Sequence, residues 1–333
     1  MAHTGQLTEI PLIEAGRGGA LPSMEAAGDR LGGILDNARR RYGPTALRAG
    51  DALSRRWLAK AGNPYLAEIE AVAARLGRPG AYMLNLSYEW GCTTGAGPDP
   101  GGAGNRMLRT LDWPLDGLGR ALVVAHHEGT AGDWFSATWP GFSGVTTAMA
   151  PGRFSAAINQ PPMRWTTPLM ALDWVRNRLG IWQAGGLPPV HLLRKVFDHC
   201  TTYAEAKARI ESEPVCLPAF FTLSGMEPEE SCAVERLESR AAVREGAVST
   251  ANHWICLAVP GRARGTDSRG RFARMEAVRN TAGDDFTWVT PPVFNDATRV
   301  AAVANARTGT FIVQGWEAEG PVSEIFRLRP DPA

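Results

Sequence analysis

Several features that assign a protein to a common class are missing from this chain of 333 residues. Its five cysteines are widely spaced, odd in number and without a CxxC pair, so they indicate neither a disulfide framework nor a zinc cluster. Lys plus Arg (35) and Asp plus Glu (34) nearly cancel. The formal net charge of +1 therefore argues against electrostatic binding of nucleic acid or of an anionic membrane surface. No apolar run has the length of a transmembrane helix.

The common cofactor and hydrolase motifs are also missing. The chain has no GxGxxG, P-loop, HExxH or GxSxG segment. His126 and His127 are adjacent, and neighbours on a strand point to opposite faces, which disfavours a shared metal. We expect neither a metal nor a cofactor. The first residues lack a basic start followed by an apolar core, so we also expect no secretory signal and a cytoplasmic protein.

The order of helix-like and strand-like patterns predicts an α+β fold. Residues 21–78 have helical apolar spacing, and Gly77 ends the amphipathic segment NPYLAEIEAVAARLG. Residues 83–160 contain short β-type runs separated by Gly and Pro. Further helix-like and then strand-like segments follow. Sheets covered by helices fit this order better than alternating βαβ units do.

Cys92 lies in the segment MLNLSYEWGCTTGAG, residues 83–97. The apolar and aromatic residues before Gly91 predict a buried strand that ends just ahead of the cysteine. Gly91 leaves one side of Cys92 unhindered and small residues follow it, so the thiol is a candidate nucleophile as well as a candidate core residue. A papain-like pair would need a nearby histidine, for which the candidates are His126, His191, His199 and His253. The Gly and Pro residues after Cys92 disfavour the helix that such a nucleophile normally opens.

The segment RTLDW is a second chemical signal and fits a strand. Alternation places Arg109 and Leu111 on one face and Thr110 and Asp112 on the other. Strand twist and a bulge can still bring both charged side chains to one strand end. Taken alone, these residues fit a surface Arg–Asp pair at least as well.

Four segments, in order, resemble the family of acid ceramidase and N-acylethanolamine-hydrolysing acid amidase: NPYLAEIEAVAARLG, LNLSYEWGCTT, RTLDW and TANHW. Two further segments, around residues 202–225 and 267–278, lie where the family has related ones, and the similarity extends from about residue 60 to 315. These enzymes are N-terminal-nucleophile (Ntn) hydrolases, related to choloylglycine hydrolases. The resemblance implies a four-layer αββα sandwich with a helical N-terminal segment. Thr110 departs from the Asn that the family usually has there.

The resemblance further implies that the chain cuts itself between Gly91 and Cys92. A helical segment, 1–91, and a catalytic part, 92–333, would then remain associated. Cys92 would be the nucleophile, and its freed α-amino group would be the base. This group has a pKa of about 7.7–8.0 in model compounds, close enough to neutrality to accept a proton.

The other site residues follow from their positions in the motifs. Asp112 would orient the α-amino group, and Arg109 would contact the thiolate or the substrate carbonyl. Asn252 would donate its amide to the oxyanion. The second arginine would come from DSRGR, where Arg269 is the first choice and Arg271 nearly as good.

The implied function is a self-processing cysteine amidase that hydrolyses the C–N bond of N-acyl amides, ceramide-like or related. Its partner would be this small substrate. Trp113 and Phe142 are candidates for the acyl pocket, because many aromatic residues flank the site in sequence. Asn159 is a candidate to bind the substrate amide, and Arg271 a candidate to contact the substrate.

Three other functions stay open at this point. An acyltransferase of the same fold would pass the acyl group to an amine instead of water. An unrelated Cys–His thiol hydrolase would require a histidine that the leading mechanism does not. A binding module that keeps the fold without processing is disfavoured by the presence of Cys92, Arg109, Asp112 and Asn252.

Overall fold

A computed structural model describes residues 6–86 and 90–328. The helices are α1 (Ala20–Ala26), α2 (Gly28–Tyr42), α3 (Pro44–Lys60), α4 (Leu66–Leu76), α5 (Ala81–Asn85), α6 (Met170–Gln183), α7 (Pro189–His199), α8 (Tyr203–Ser212) and α9 (Ser268–Val278). None of the helices in these two ranges combines the length and apolar composition that crossing a bilayer requires.

The strands, in chain order, are β1 (Leu12–Gly16), β2 (Gly91–Pro98), β3 (Asn105–Asp112), β4 (Val123–Gly129), β5 (Gly132–Thr138), β6 (Thr147–Ala150), β7 (Phe154–Asn159), β8 (Met163–Arg164), β9 (Ala219–Ser224), β10 (Ser231–Arg236), β11 (Ala241–Glu245), β12 (Val248–Thr250), β13 (Gly261–Arg262), β14 (Thr298–Asn305), β15 (Thr310–Glu317), β16 (Gly320–Pro321) and β17 (Phe326–Leu328).

Two large sheets form the centre of the molecule. One has the order β1-β4-β5-β6-β7-β9-β10-β11, and the other has the order β12-β2-β3-β14-β15-β16, with β17 also pairing with β15. All pairs are antiparallel except β1 with β4. A small third pair joins β8 to β13. Since β1 precedes Cys92, the N-terminal part of the chain also supplies an edge strand to the larger sheet.

The two sheets stack face to face between helices. Strands β2 and β3 contact β7 and β9 across the interface. Helices α7 and α8 cover the outer face of the larger sheet, and α9 covers the outer face of the smaller one. Every residue of β3 and β14 is buried, because one face packs on the other sheet and the other face on α9 and the chain that follows it. The expected α+β, four-layer αββα sandwich with a helical N-terminal segment is confirmed.

One sequence prediction about the neighbourhood of Cys92 was wrong. Residues 81–85 form helix α5 rather than a strand, and the strand β2 begins at Gly91 and contains Cys92. The apolar run before Gly91 has the right composition for either element, and apolar runs this short do not distinguish them. Residues 87–89, which were part of the predicted strand, lie outside the described residues.

Helix α9 begins where the sequence has a strong N-cap. The side chain of Asp267 accepts a hydrogen bond from the Gly270 N–H at 2.9 Å, which satisfies one of the free donors of the first turn. The cap sets where the helix starts. It thereby places Arg271, in the first turn, against the outer face of β2.

Candidate active site

Cys92 is fully buried on β2, with its side chain toward the larger sheet. Strand alternation puts Thr94 on the same face, and the antiparallel register places Arg109 of β3 directly opposite Thr94. Arg109 Nη2 donates to the Cys92 sulfur at 3.3 Å. The thiol therefore has a cation as its hydrogen-bond partner.

A closed hydrogen-bond network holds Arg109 in this position. Arg109 Nη1 donates to Asn159 Oδ1 at 2.9 Å and to Thr94 Oγ1 at 3.2 Å, and Thr94 Oγ1 donates to the same Asn159 oxygen at 2.7 Å. The Asn159 amide group donates to the carbonyls of Thr250 and Ala251. Both ends of the Asn159 amide are thus engaged. This placement fits positioning of Arg109 rather than the substrate contact predicted for Asn159.

Asp112 and Arg271 approach Cys92 from the opposite face of β2. Asp112 is the cross-strand partner of Gly91, and its carboxylate lies 3.6 Å from Arg271 Nη1. The hydroxyl of Thr298 and the amide of Asn295 each donate to one oxygen of this carboxylate, at 2.9 and 3.0 Å. The register between β2 and β3 is regular here, so the Arg109 and Asp112 side chains lie on opposite faces of β3. They flank Cys92, with the sulfur on one side and its backbone on the other.

Arg271 binds the backbone of the nucleophile. Its Nη1 donates to the Cys92 carbonyl at 2.6 Å and to Thr93 Oγ1 at 3.0 Å, and its Nη2 donates to Asn252 Oδ1 at 2.8 Å. Arg269, the first choice from sequence, is exposed. Arg271 is buried and Arg269 exposed because the two side chains leave α9 about 200° apart, so only one of them can face β2.

Asn252 has a different contact from the one its motif suggested. Its Oδ1 accepts from the Cys92 N–H at 2.9 Å and from Arg271, while its Nδ2 donates to the Gln160 carbonyl at 2.7 Å. Because both partners of Oδ1 can only donate, the orientation of the amide is determined. In the intact chain Asn252 therefore holds the nitrogen of Cys92, and one of the two donor hydrogens of its Nδ2 is engaged by the Gln160 carbonyl.

The environment of Cys92 disfavours ionisation of its thiol. Burial raises the pKa of the Cys92 thiol, although Arg109 and Arg271 act in the opposite direction. Arg109 does lower the pKa of the thiol, as expected from sequence. Burial raises this pKa by more, so the net shift is upward. A base is needed to activate the thiol.

Histidine does not supply that base through a hydrogen bond to the Cys92 sulfur anywhere in residues 6–86 and 90–328. His191 bonds Asn63 and Ser143, and His253 bonds the Ser268 hydroxyl at 2.8 Å. Burial lowers the pKa of His191 to about 3, so this ring stays neutral in the core. These contacts give no support to a papain-like pair.

A cleft of about 490 Å³ lies near Cys92, whose own side chain is not part of the lining. Trp90 and Gln160 line it, and the backbone N–H of Trp90 donates to Gln160 Oε1 at 3.2 Å. Gly265, also in its lining, packs against the backbone of Gly91. This volume lies in the range of small-molecule sites.

Trp113 and Phe142, the candidates for the acyl pocket, do not line this cleft. They border a separate apolar cavity of about 40 Å³ under the N-terminal helices. Trp113 packs between Trp90 and Trp139, with ring centroids 5.4 Å from each. Trp113 is 3% exposed and Phe142 packs against the same core cluster, so the structure places these two residues in the core.

Sequence reasoning missed several polar residues of the site. Thr94 lies two residues after Cys92 on one strand, a spacing that indicates a shared face. Gln160 directly follows Asn159, which was considered. Thr298 and Asn295, which orient Asp112, come from a distant part of the chain and had no local signal.

Comparisons with known proteins bear on this arrangement. A scan against family models found no match. Human acid ceramidase is 28% identical over 101 residues, which are 30% of this chain and 24% of that protein. Mouse acid ceramidase is 29% identical over 103 residues, or 31% of this chain and 25% of that protein. Over about a third of its length, this chain is similar in sequence to acid ceramidase. The resemblance inferred from the motifs is confirmed, and the match spans about a quarter of the length of these acid ceramidases.

Solved structures with a similar chain course include the following two. An N-acylethanolamine-hydrolyzing acid amidase ortholog of Caenorhabditis elegans has a TM-score of 0.49 at 17% identity, over 64% of this chain and 92% of that one. Penicillin V acylase from Agrobacterium tumefaciens has a TM-score of 0.43 at 14% identity, over 72% of this chain and 86% of that one.

Proposed function

We propose that this relative of acid ceramidase is a self-processing cysteine amidase that hydrolyses N-acyl amides. The observation that carries the proposal is the environment of Cys92. Its sulfur meets a buried arginine, while Asn252 and Arg271 hold its backbone nitrogen and carbonyl beside a substrate-sized cleft. A cysteine that only fills space in a core behaves as a small apolar residue and needs no arginine at its sulfur.

Processing would proceed by an N-to-S acyl shift. The Cys92 sulfur attacks the Gly91 carbonyl carbon, the C–N bond breaks, and the proton of the thiol passes to the departing nitrogen. Water then hydrolyses the thioester, which leaves a carboxylate on Gly91 and a free α-amino group on Cys92. The two pieces would be residues 1–91 and 92–333.

The mature enzyme would use the new amino group as its base. This group takes the proton of the Cys92 thiol as the sulfur attacks the substrate carbonyl, and it then protonates the departing amine. Water cleaves the acyl thioester and restores the thiol. Asp112 would bind the protonated amino group. Arg109 would stabilise the charge on the sulfur, and Asn252 would keep the contact to the nitrogen that the intact chain already has.

The two pieces would remain associated through buried contacts. Strand β1 pairs with β4, so the first piece is part of the larger sheet. Glu68 of α4 forms an ion pair with Arg194 of α7 at 2.8 Å, and both side chains are largely buried. The side chains of Asn63 and His191 share a hydrogen bond of 2.9 Å. Breaking these contacts would leave polar groups unpaired in the core.

Gly91→Ala is expected to slow self-cleavage by about tenfold, or about 1.4 kcal/mol of barrier. A Cβ at this position would lie 3.2 Å from both Cβ and Oδ2 of Asp112, and the contacts from Thr298 and Asn295 prevent Asp112 from moving away. A time course on denaturing gels measures the rate. Gly28→Ala is the control, because a Cβ there meets no atom within 4 Å. If the Gly91 variant cleaved itself at the wild-type rate, the proposal that steric contacts at this junction control cleavage would be contradicted.

The substrate test is a series of N-acyl ethanolamides from acetyl to palmitoyl. The cleft has an apolar lining, which includes Met163, Met170, Trp174, Ile181 and Leu217. Each buried methylene contributes about 0.8 kcal/mol, so kcat/KM should rise up to about fourfold per methylene until the cleft is full. Product analysis with an added amine separates hydrolysis from acyl transfer. A flat response to chain length, with sharp selectivity for the amine, would contradict an acyl site in this cleft.

A further inference from the structure

The cleft near Cys92 is strongly positive, although the protein as a whole is almost neutral. Its lining contains five arginines and a single acidic residue, whereas the formal net charge of the protein is +1. The arginines come from the β8–β13 pair, from α6 and from the loop after β13. They are Arg164, Arg176, Arg178, Arg262 and Arg264.

Two of these arginines are neutralised by carboxylates. Arg164 pairs with Glu238, and Arg262 Nε pairs with the buried Asp173 at 2.9 Å. The first pair joins β8 to the turn between β10 and β11, and the second joins β13 to α6, so both have a structural use.

Arg176 and Arg178 of α6 differ from these two. Arg176 Nη1 donates to the Thr166 hydroxyl at 3.3 Å, and the guanidinium of Arg178 lies over the Trp174 ring at 5.1 Å. Within the described part of the chain neither has a carboxylate within ion-pair distance. Neutral partners orient a guanidinium without compensating its charge, so both remain available to an anion from the cleft.

We propose that the amide substrate of this enzyme is an amphipathic anion, whose anionic group is bound by Arg176 and Arg178. The inference rests on the proposed function, which it narrows from neutral N-acyl amides to charged ones. An apolar part of the substrate lies along the Met and Trp side chains of the cleft, and a carboxylate or a similar anion meets the arginines. The anion belongs either to the amine half or to the far end of the acyl chain.

Three substrates of matched length distinguish these cases. N-lauroyl ethanolamine is neutral, N-lauroyl glycine has its carboxylate on the amine half, and an ω-carboxyacyl ethanolamide has it on the acyl end. We expect one of the two anionic amides to exceed the neutral one in kcat/KM by about tenfold at low salt, a preference that falls as salt screens the charges. Whichever of the two anionic amides is preferred shows whether the anion belongs to the amine half or to the acyl half of the substrate.

The double variant Arg176→Gln/Arg178→Gln should lose most of this preference. Arg39→Gln/Arg56→Gln is the matched control, because it removes two exposed arginines of α2 and α3 and changes the net charge equally. Retention of the preference in the first variant, or its loss in the control, would overturn the assignment. So would the absence of any preference in the wild-type enzyme.

Binding separates this inference from the proposed function. Affinities of the same three amides for the Cys92→Ala chain are measured by calorimetry, before and after the double arginine substitution. If no amide is hydrolysed by the wild type but the anion is still bound through the arginines, the proposed function fails and the binding assignment holds. If amides are hydrolysed without regard to charge and bind equally, the assignment fails and the function holds.

Discussion

Cys92→Ala is expected to leave the chain whole and to abolish amide hydrolysis, by about 10⁴-fold or more in kcat. The substitution removes the sulfur that would attack both the Gly91 carbonyl and the substrate. Alanine fits the same buried position with a small loss of packing, so the fold should persist. Mass spectrometry of the purified protein should show one species, against two pieces of 91 and 242 residues for the wild type, as follows from the 333 residues of the chain.

Cys256→Ala is the control for this experiment. Cys256 is the exposed cysteine among the free thiols, so it would react first with any general thiol reagent. Its replacement should leave both processing and turnover unchanged. A fully active wild-type enzyme that remains uncleaved would refute the self-processing mechanism.

Arg271→Lys is expected to lower kcat/KM by about 10²–10³-fold, whereas Arg269→Lys should change it by less than about threefold. The two positions lie in the same turn of α9, and both substitutions keep the charge. Arg271 is fully buried and donates to the Cys92 carbonyl, to Thr93 and to Asn252 at once. A lysine ammonium cannot span these acceptors, because its donors radiate from one nitrogen.

The comparison also separates positioning from a general loss of stability. Thermal unfolding of both variants shows whether the fold persists, and the loss should appear in kcat rather than in KM, because Arg271 contacts the nucleophile and not the cleft. Equal effects at positions 269 and 271 would contradict a specific role for the buried arginine. A loss at Arg269 alone would restore the first choice made from sequence.

The elements near the site differ in how far sequence could predict them. Helix α4 was predictable because its apolar face repeats at helical spacing and Gly77 ends it in a left-handed conformation. The strand β3 was predictable from the alternation in RTLDW. The run before Gly91 was not, because its composition is compatible with both elements and only the packing around α5 distinguishes them.

The sequence by itself determined the candidates: a cysteine after a glycine, an Arg–Asp pair on one strand, and the order of motifs that resembles acid ceramidase. These signals are local, since each depends on residues within a few positions. The tertiary structure decided the roles. Arg271 rather than Arg269 faces the nucleophile, Asn252 accepts from its nitrogen, and the aromatic residues near Trp113 belong to the core. Those outcomes depend on the register between β2 and β3 and on where α9 packs, contacts between residues as far as 179 positions apart, which no local pattern encodes.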